Sequence, residues 1–203
     1  MEISNEKLIK TGRLALQREG EAILSLQQQL ESSFSEAVQM ILECQGHVIV
    51  AGAGTSSAVA RRMVHLLTCS GAPAFYLGLD ESAHGEAAAV TRRDVLIAIS
   101  KSGETDELNH LVRFARQQGA SVIGLTGQDR STMAEMCHCL VRFVTPLEVE
   151  GEGVIALGSS LAACAIGDAI CAAILSVRGF NPDFFRQVHP GGLVGRQLSN
   201  AGQ

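Results

Sequence analysis

The sequence holds no tryptophan, one tyrosine and seven phenylalanines in 203 residues, so aromatic side chains are only 4% of it. A protein that binds single strands by stacking bases on aromatic rings would have few platforms here. Nor is there an excess of positive charge: 16 Lys and Arg face 21 Asp and Glu, a formal net charge of -5. That balance argues against affinity founded on neutralising a phosphate backbone, and no nucleic-acid partner is expected. With 46% hydrophobic and 18% charged residues, disorder, collagen and coiled coil are excluded as well.

Uninterrupted apolar runs of membrane length are also missing. Val154 to Val177 comes nearest, but Gly158, Ser159, Ser160, Gly167 and Asp168 break it, so it reads as a buried core helix and no membrane partner is expected. Met1 to Lys10 is polar and mixed in charge, with no apolar core of a signal peptide; the cytoplasm is the expected compartment. The cysteines, Cys44, Cys69, Cys137, Cys139, Cys164 and Cys171, sit mostly within apolar runs, as reduced small hydrophobes do. Cys137-His138-Cys139 is the tight thiol and imidazole cluster. Its spacing does not match paired structural zinc ligands, and no metal is expected.

What is present is a change of period along the chain. Apolar residues from Leu14 to Leu42 recur at helical spacing, which predicts two amphipathic helices over 3–45 with a break near Glu31-Ser32-Ser33. Beyond residue 46, short apolar runs alternate with helical stretches. Strands are expected over 47–51, 74–77, 95–100, 121–126 and 139–144, and helices over 56–70, 105–118, 132–136 and 156–177. Nearly continuous apolar strands separated by helices indicate a parallel sheet covered on both faces. The predicted fold class is α/β, a three-layer α/β/α sandwich behind N-terminal helices, with residues 1–45 packing on the domain or on a partner subunit and 46–203 forming the domain.

In such a sheet ligands bind beyond the carboxyl ends of the strands. Two junctions stand there. Gly52-Ala53-Gly54-Thr55-Ser56-Ser57 begins like a dinucleotide fingerprint, but Ser57 stands where the third glycine would be; a tight strand-to-helix turn explains it equally well. Ser100-Lys101-Ser102-Gly103-Glu104-Thr105 places three hydroxyls on a turn entering a helix. Hydroxyls and free N–H groups there suit a phosphomonoester. Helix capping by Ser102 or Thr105 accounts for the same residues, and the two readings are compatible.

The runs VIVAGAGTSSAVARRM, LIAISKSGETDEL and HPGGLVGR together resemble the sugar isomerase (SIS) domain, over nearly the whole chain and in order. Ser82-Ala83-His84-Gly85 and His189-Pro190-Gly191-Gly192 narrow the resemblance to the KpsF/GutQ group of arabinose-5-phosphate isomerases, in a short form without the paired CBS domains of many relatives. The resemblance implies a five-stranded parallel sheet and a sugar phosphate held by Gly54, Thr55, Ser56, Ser100, Ser102 and Thr105. It further implies a homotetramer whose active sites are shared between subunits, and turnover without metal or organic cofactor. By position it makes Glu107, His84 and His189 the catalytic candidates, with a further glutamate among Glu148, Glu150 and Glu152. His47, His65, His110 and His138 lie in strand or helix patterns and are expected to be structural or surface residues.

Aldose-ketose interconversion moves a proton between adjacent carbons through an enediol, which needs a base, carbonyl polarisation and a proton shuttle between oxygens. Histidine and a partly buried glutamate suit those tasks. Two departures from the group bear on the substrate. Relatives carry Lys where Thr55 stands, and Lys101 on the neighbouring turn is a possible substitute for that charge. Relatives also carry a Cys-Pro-Leu-Gly-Leu-Ala-Pro type segment where this chain has Glu148 to Val154. Isomerisation of a hexulose or heptose phosphate, or non-catalytic sensing of a sugar phosphate, are therefore the alternative functions.

Overall fold

A computed structural model describes residues 4–189 and 191. Pro190 and 192–203, which include most of the HPGGLVGR run, lie outside the described residues. Strands β1 (Val48–Gly52), β2 (Ala74–Tyr76), β3 (Val95–Ile99), β4 (Ser121–Thr126) and β5 (Cys139–Arg142) form one parallel sheet in the order β2-β1-β3-β4-β5. Side chains alternate between its faces, and both faces are apolar. Val48, Val50, Val95, Ile97, Ile99, Ile123 and Leu125 enter one core, while Ile49, Ala51, Leu96, Ala98 and Val122 enter the other. A strand buried on both sides must read as a continuous apolar run, and these do.

The first core is closed by helices α2 (Ser32–Leu42), α3 (Thr55–Cys69) and α7 (Gly158–Arg178). The second is closed by α5 (Asp106–Gln117) and α6 (Thr132–Met136). α7 is long and apolar enough to cross a membrane. Its Ala162, Ile166, Ile170 and Ile174 are at most 1% exposed and pack with the sheet, as a core helix requires. The N-terminal helix α1 (Asn5–Ser25) touches α7 and ends in a 3₁₀ turn at Leu26–Gln29. It leaves Leu8, Ile9, Leu16 and Leu24 between 57% and 72% exposed.

Four further short elements were not foreseen among the described residues: α4 (Leu79–Ala83), the turns Glu86–Ala89 and Leu147–Val149, and α8 (Pro182–Val188). Each is too short to impose a helical period on the sequence. His84 is the C-terminal cap of α4.

One buried carboxylate ties the sheet's N-terminal edge together. Asp94, 5% exposed, accepts from the His47 backbone N–H at 2.7 Å and from the Thr91 backbone N–H and hydroxyl, each at 2.7 Å. It thereby joins the start of β1 to the start of β3. Burial pushes its pKa up, but the donors from His47 and Thr91 outweigh burial, and the carboxyl sits below its ordinary 3.8. The stability it gives is complete above the ordinary value and is lost as pH falls through the lower folded value. Asp94→Asn should lower stability by about 2 kcal/mol near neutral pH and flatten the acid limb of a pH-stability curve measured by thermal melting. An unchanged acid limb would show that Asp94 does not govern it.

Candidate active site

β1 and β3 are neighbours in register, with Gly52 opposite Ile99, but the helices that follow them leave on opposite faces. α3 turns toward the first core and α5 toward the second. The connecting loops must part, and a crevice opens at this switch in strand order. Both junctions picked out from the sequence stand at it.

The β3 loop is held by its own side chains. The hydroxyl of Ser100, 4% exposed, accepts from the Gly103 N–H at 3.0 Å and lies 3.1 Å from the Thr105 hydroxyl. Ser102 accepts from the Glu104 N–H at 3.2 Å. Gly103 takes φ +70, a left-handed conformation, and Asn109 donates to its carbonyl at 3.1 Å. The Glu104 carboxylate accepts from the Thr132 hydroxyl and N–H, at 2.7 and 2.9 Å, which moors the loop to α6 and holds that carboxyl below its usual range. Thr105 occupies the N-cap position of α5, yet no side chain caps that helix. The serine hydroxyls thus brace the loop and do not cap α5, and the first-turn N–H groups of α5 have no side-chain acceptor among the described residues.

Lys101, on the same loop, donates to Glu150 at 2.8 Å. The Glu150 side chain is fully buried and also accepts from the Ser159 N–H at 3.2 Å, at the start of α7. Burial pushes its pKa up, but the donors from Lys101 and Ser159 outweigh burial and hold the carboxyl below its usual range. Its Oε2 is buried with no partner among the described residues. The sequence named Glu150 and Lys101 separately; their pairing links loops that are 49 residues apart and has no local signal. Glu148 and Glu152 are exposed. Glu148 lines a groove against α1 with Arg18 and Glu21, and Glu152 sits at φ +50 in the turn before α7.

On the β1 side, a cavity of about 430 Å³ is lined by Gly52, Gly54, Ser57, Tyr76, Asp80 and Glu107, among others. Gly54 adopts φ +51, and the Ser57 hydroxyl donates to its carbonyl at 2.7 Å. Thr55 and Ser56 open α3 beside it. Glu107 reaches the cavity from the first turn of α5, and Leu79, Asp80 and Ala83 of α4 form another wall. His84 caps that wall helix, exposed, with Nε2 3.6 Å from the Asp80 carboxylate. Arg61 stacks over the Tyr76 ring at 3.9 Å; neither residue was singled out in the sequence.

His189 is not brought to this crevice within one chain. Its Nε2 lies 3.8 Å from the Cys69 sulfur, at the last residue of α3. From Thr55 to Cys69 that helix rises about 21 Å, so His189 sits toward the opposite end of the strands from Glu107. The Cys137-His138-Cys139 cluster is likewise split. Cys137 packs into the second core and Cys139 into the first, and burial pushes their thiols up to about 12 and about 11. His138 accepts from the Val122 N–H through Nδ1 at 2.9 Å.

Comparison with known proteins fits this geometry. Residues 41–173 match the SIS domain model. The KpsF arabinose 5-phosphate isomerase of Escherichia coli is 35% identical over 192 residues, 94% of this chain and 61% of that protein. The KdsD arabinose 5-phosphate isomerase of Escherichia coli K12 is 34% identical over 194 residues, 93% of this chain and 58% of that protein. The chain thus spans about three fifths of the length of these curated relatives. Among solved structures, Escherichia coli CFT073 c3406 in complex with arabinose 5-phosphate superimposes with a TM-score of 0.88 and 28% identity, covering 93% of this chain and 100% of that one. A Listeria monocytogenes structure reaches a TM-score of 0.90 at 28% identity over 94% of this chain and 100% of that one. The parallel sheet, the two switch-point loops and the family match over residues 41–173 agree: the chain belongs to the SIS domain family.

Proposed function

We propose that the chain is a sugar-phosphate aldose-ketose isomerase, acting on D-arabinose 5-phosphate and D-ribulose 5-phosphate through an enediol. The observation that carries this reading is the Ser100–Thr105 loop, where the Ser100 and Thr105 hydroxyls meet 3.1 Å apart at the start of α5, a helix whose N-terminus no side chain caps. A dianionic phosphate suits that position, and the helix dipole adds to the attraction. Relatives at 34–35% identity are arabinose 5-phosphate isomerases, and a structural neighbour at 28% identity is complexed with arabinose 5-phosphate.

With the phosphate anchored there, the sugar would extend into the cavity beside Glu107. Glu107 takes the proton from the carbon next to the carbonyl, an enediol forms, and the proton returns to the neighbouring carbon. His84 is assigned the proton shuttle between the oxygens at the cavity rim, and His189 ring opening or the second proton transfer. Since His189 stands at the far end of the strands from the crevice of its own chain, this role requires a neighbouring subunit to deliver it. The exposed apolar residues of α1 are consistent with such an assembly, for which a homotetramer is proposed, in the cytoplasm. Proton transfers alone complete the route, so the reading calls for no organic cofactor. Lys101 is proposed to supply the positive charge that Thr55 lacks, and Glu150 to act as the positioning residue that holds it; Glu148 and Glu152 are left with no assigned step.

Ser102→Ala with Thr105→Ala should remove charge-assisted bonds of about 1.5–3 kcal/mol each. The KM for the pentose phosphate should then rise at least about tenfold for each bond lost. Lys101→Met should raise it by a similar factor and lower the melting temperature, because it leaves the buried Glu150 carboxylate without its cation. Wild-type KM in both variants would place the phosphate elsewhere.

Solvent exchange tests the reaction itself. In D2O the protein should introduce deuterium next to the carbonyl of pentose 5-phosphates, and faster than into hexose or heptose phosphates. Exchange confined to a longer sugar would reassign the substrate, while tight binding of a sugar phosphate with no exchange into any of them would favour the sensor reading.

A further inference from the structure

We propose that His65, Cys69 and His189 form a binding site for a borderline divalent cation of the zinc class. His65 and Cys69 are four residues apart on the last turns of α3, so both project from one face of the helix. α8 returns the chain to that face and sets His189 beside them. The Cys69 sulfur lies 3.8 Å from Nε2 of His65 and 3.8 Å from Nε2 of His189, and the three ligand atoms fall within 4.8 Å of one another. A tetrahedral zinc with its ordinary bond lengths needs sulfur and nitrogen about 3.6 Å apart. Small side-chain rotations close the difference.

The His189 ring is oriented for ligation. Its Nδ1 stands 3.2 Å from the Phe185 carbonyl, and its face stacks on the Phe185 ring with centroids 3.9 Å apart and planes 13° from parallel. An Nδ1–H donated to that carbonyl leaves the Nε2 lone pair free and facing Cys69. That is how a supporting carbonyl sets a metal-binding histidine. His65 is exposed and the other two are half-buried, so an ion can enter from solvent and a fourth position stays open to water. One thiolate and two imidazoles select zinc, cobalt or copper over magnesium or calcium. Cys137 and Cys139, facing opposite cores, offer no rival cluster.

Such an ion would pin α8 to the end of α3. It would also occupy the same Nε2 that a proton-transferring His189 needs, so metal binding and catalysis by His189 exclude each other at any one site. The site itself does not depend on the isomerase reading, because its geometry involves one chain and no substrate.

The test uses the whole protein, stripped of metal, reduced, and titrated with Co²⁺. The expected result is one ion per chain by native mass spectrometry, a thiolate-to-cobalt charge-transfer absorption, and loss of that absorption when Zn²⁺ displaces the cobalt. His65→Ala and Cys69→Ser should each weaken binding at least about tenfold, no less than the loss of a supporting residue costs. Both variants should melt with the metal-free parent. His65→Ala, at an exposed position, separates loss of the site from loss of the fold. No thiolate absorption in the parent, or cobalt bound equally by parent and His65→Ala, would overturn the proposal.

Discussion

Two parallel strands side by side whose helices depart on opposite faces cannot keep their loops together. That constraint at β1 and β3 makes the crevice on which the rest of the site depends. It opens between Gly52 and Ile99 and aims the first turns of α3 and α5 at one space. The glycines follow from it, since Gly54 and Gly103 hold positive φ where each loop turns away. So does the placement of Glu107, one residue into the first turn of the helix that leaves β3.

Buried carboxylates fasten the loops at both edges of the sheet. Asp94 accepts three hydrogen bonds from His47 and Thr91 at the entry of β1 and β3. At the exit, Glu150 draws Lys101 toward the start of α7, with a second donor from Ser159. A carboxylate is tolerable inside because each accepts hydrogen bonds from donors on separate segments. The two carboxylates differ in consequence. Asp94 has both oxygens engaged, whereas Glu150 keeps Oε2 unpartnered among the described residues.

The sheet was legible because its strands are apolar on both faces: 121–126 and 132–136 were read with their observed bounds, and 95–100 overran by one residue. α4 and α8, of five and seven residues, carry no period long enough to detect. The candidate site was legible to the extent that its residues are local. Ser100, Ser102 and Thr105 share one turn, and Gly54, Thr55 and Ser56 another, so a motif could name them. The Lys101 to Glu150 pair and the approach of His189 to Cys69 join segments 49 and 120 residues apart. No spacing rule reaches across such distances, and a run of alternating Glu does not reveal that Glu150 is buried while Glu148 and Glu152 are exposed.

The separation of His189 from Glu107 within one chain gives the proposed mechanism its sharpest consequence, a site built from two subunits. The direct measurement is complementation. Glu107→Gln and His189→Gln chains, each inactive by itself, are unfolded together, refolded as mixed oligomers and assayed with D-arabinose 5-phosphate. The account predicts that activity returns on mixing, because a His189→Gln chain retains Glu107 and its neighbour supplies His189. Mixed oligomers that stay as inactive as the separate variants would contradict it.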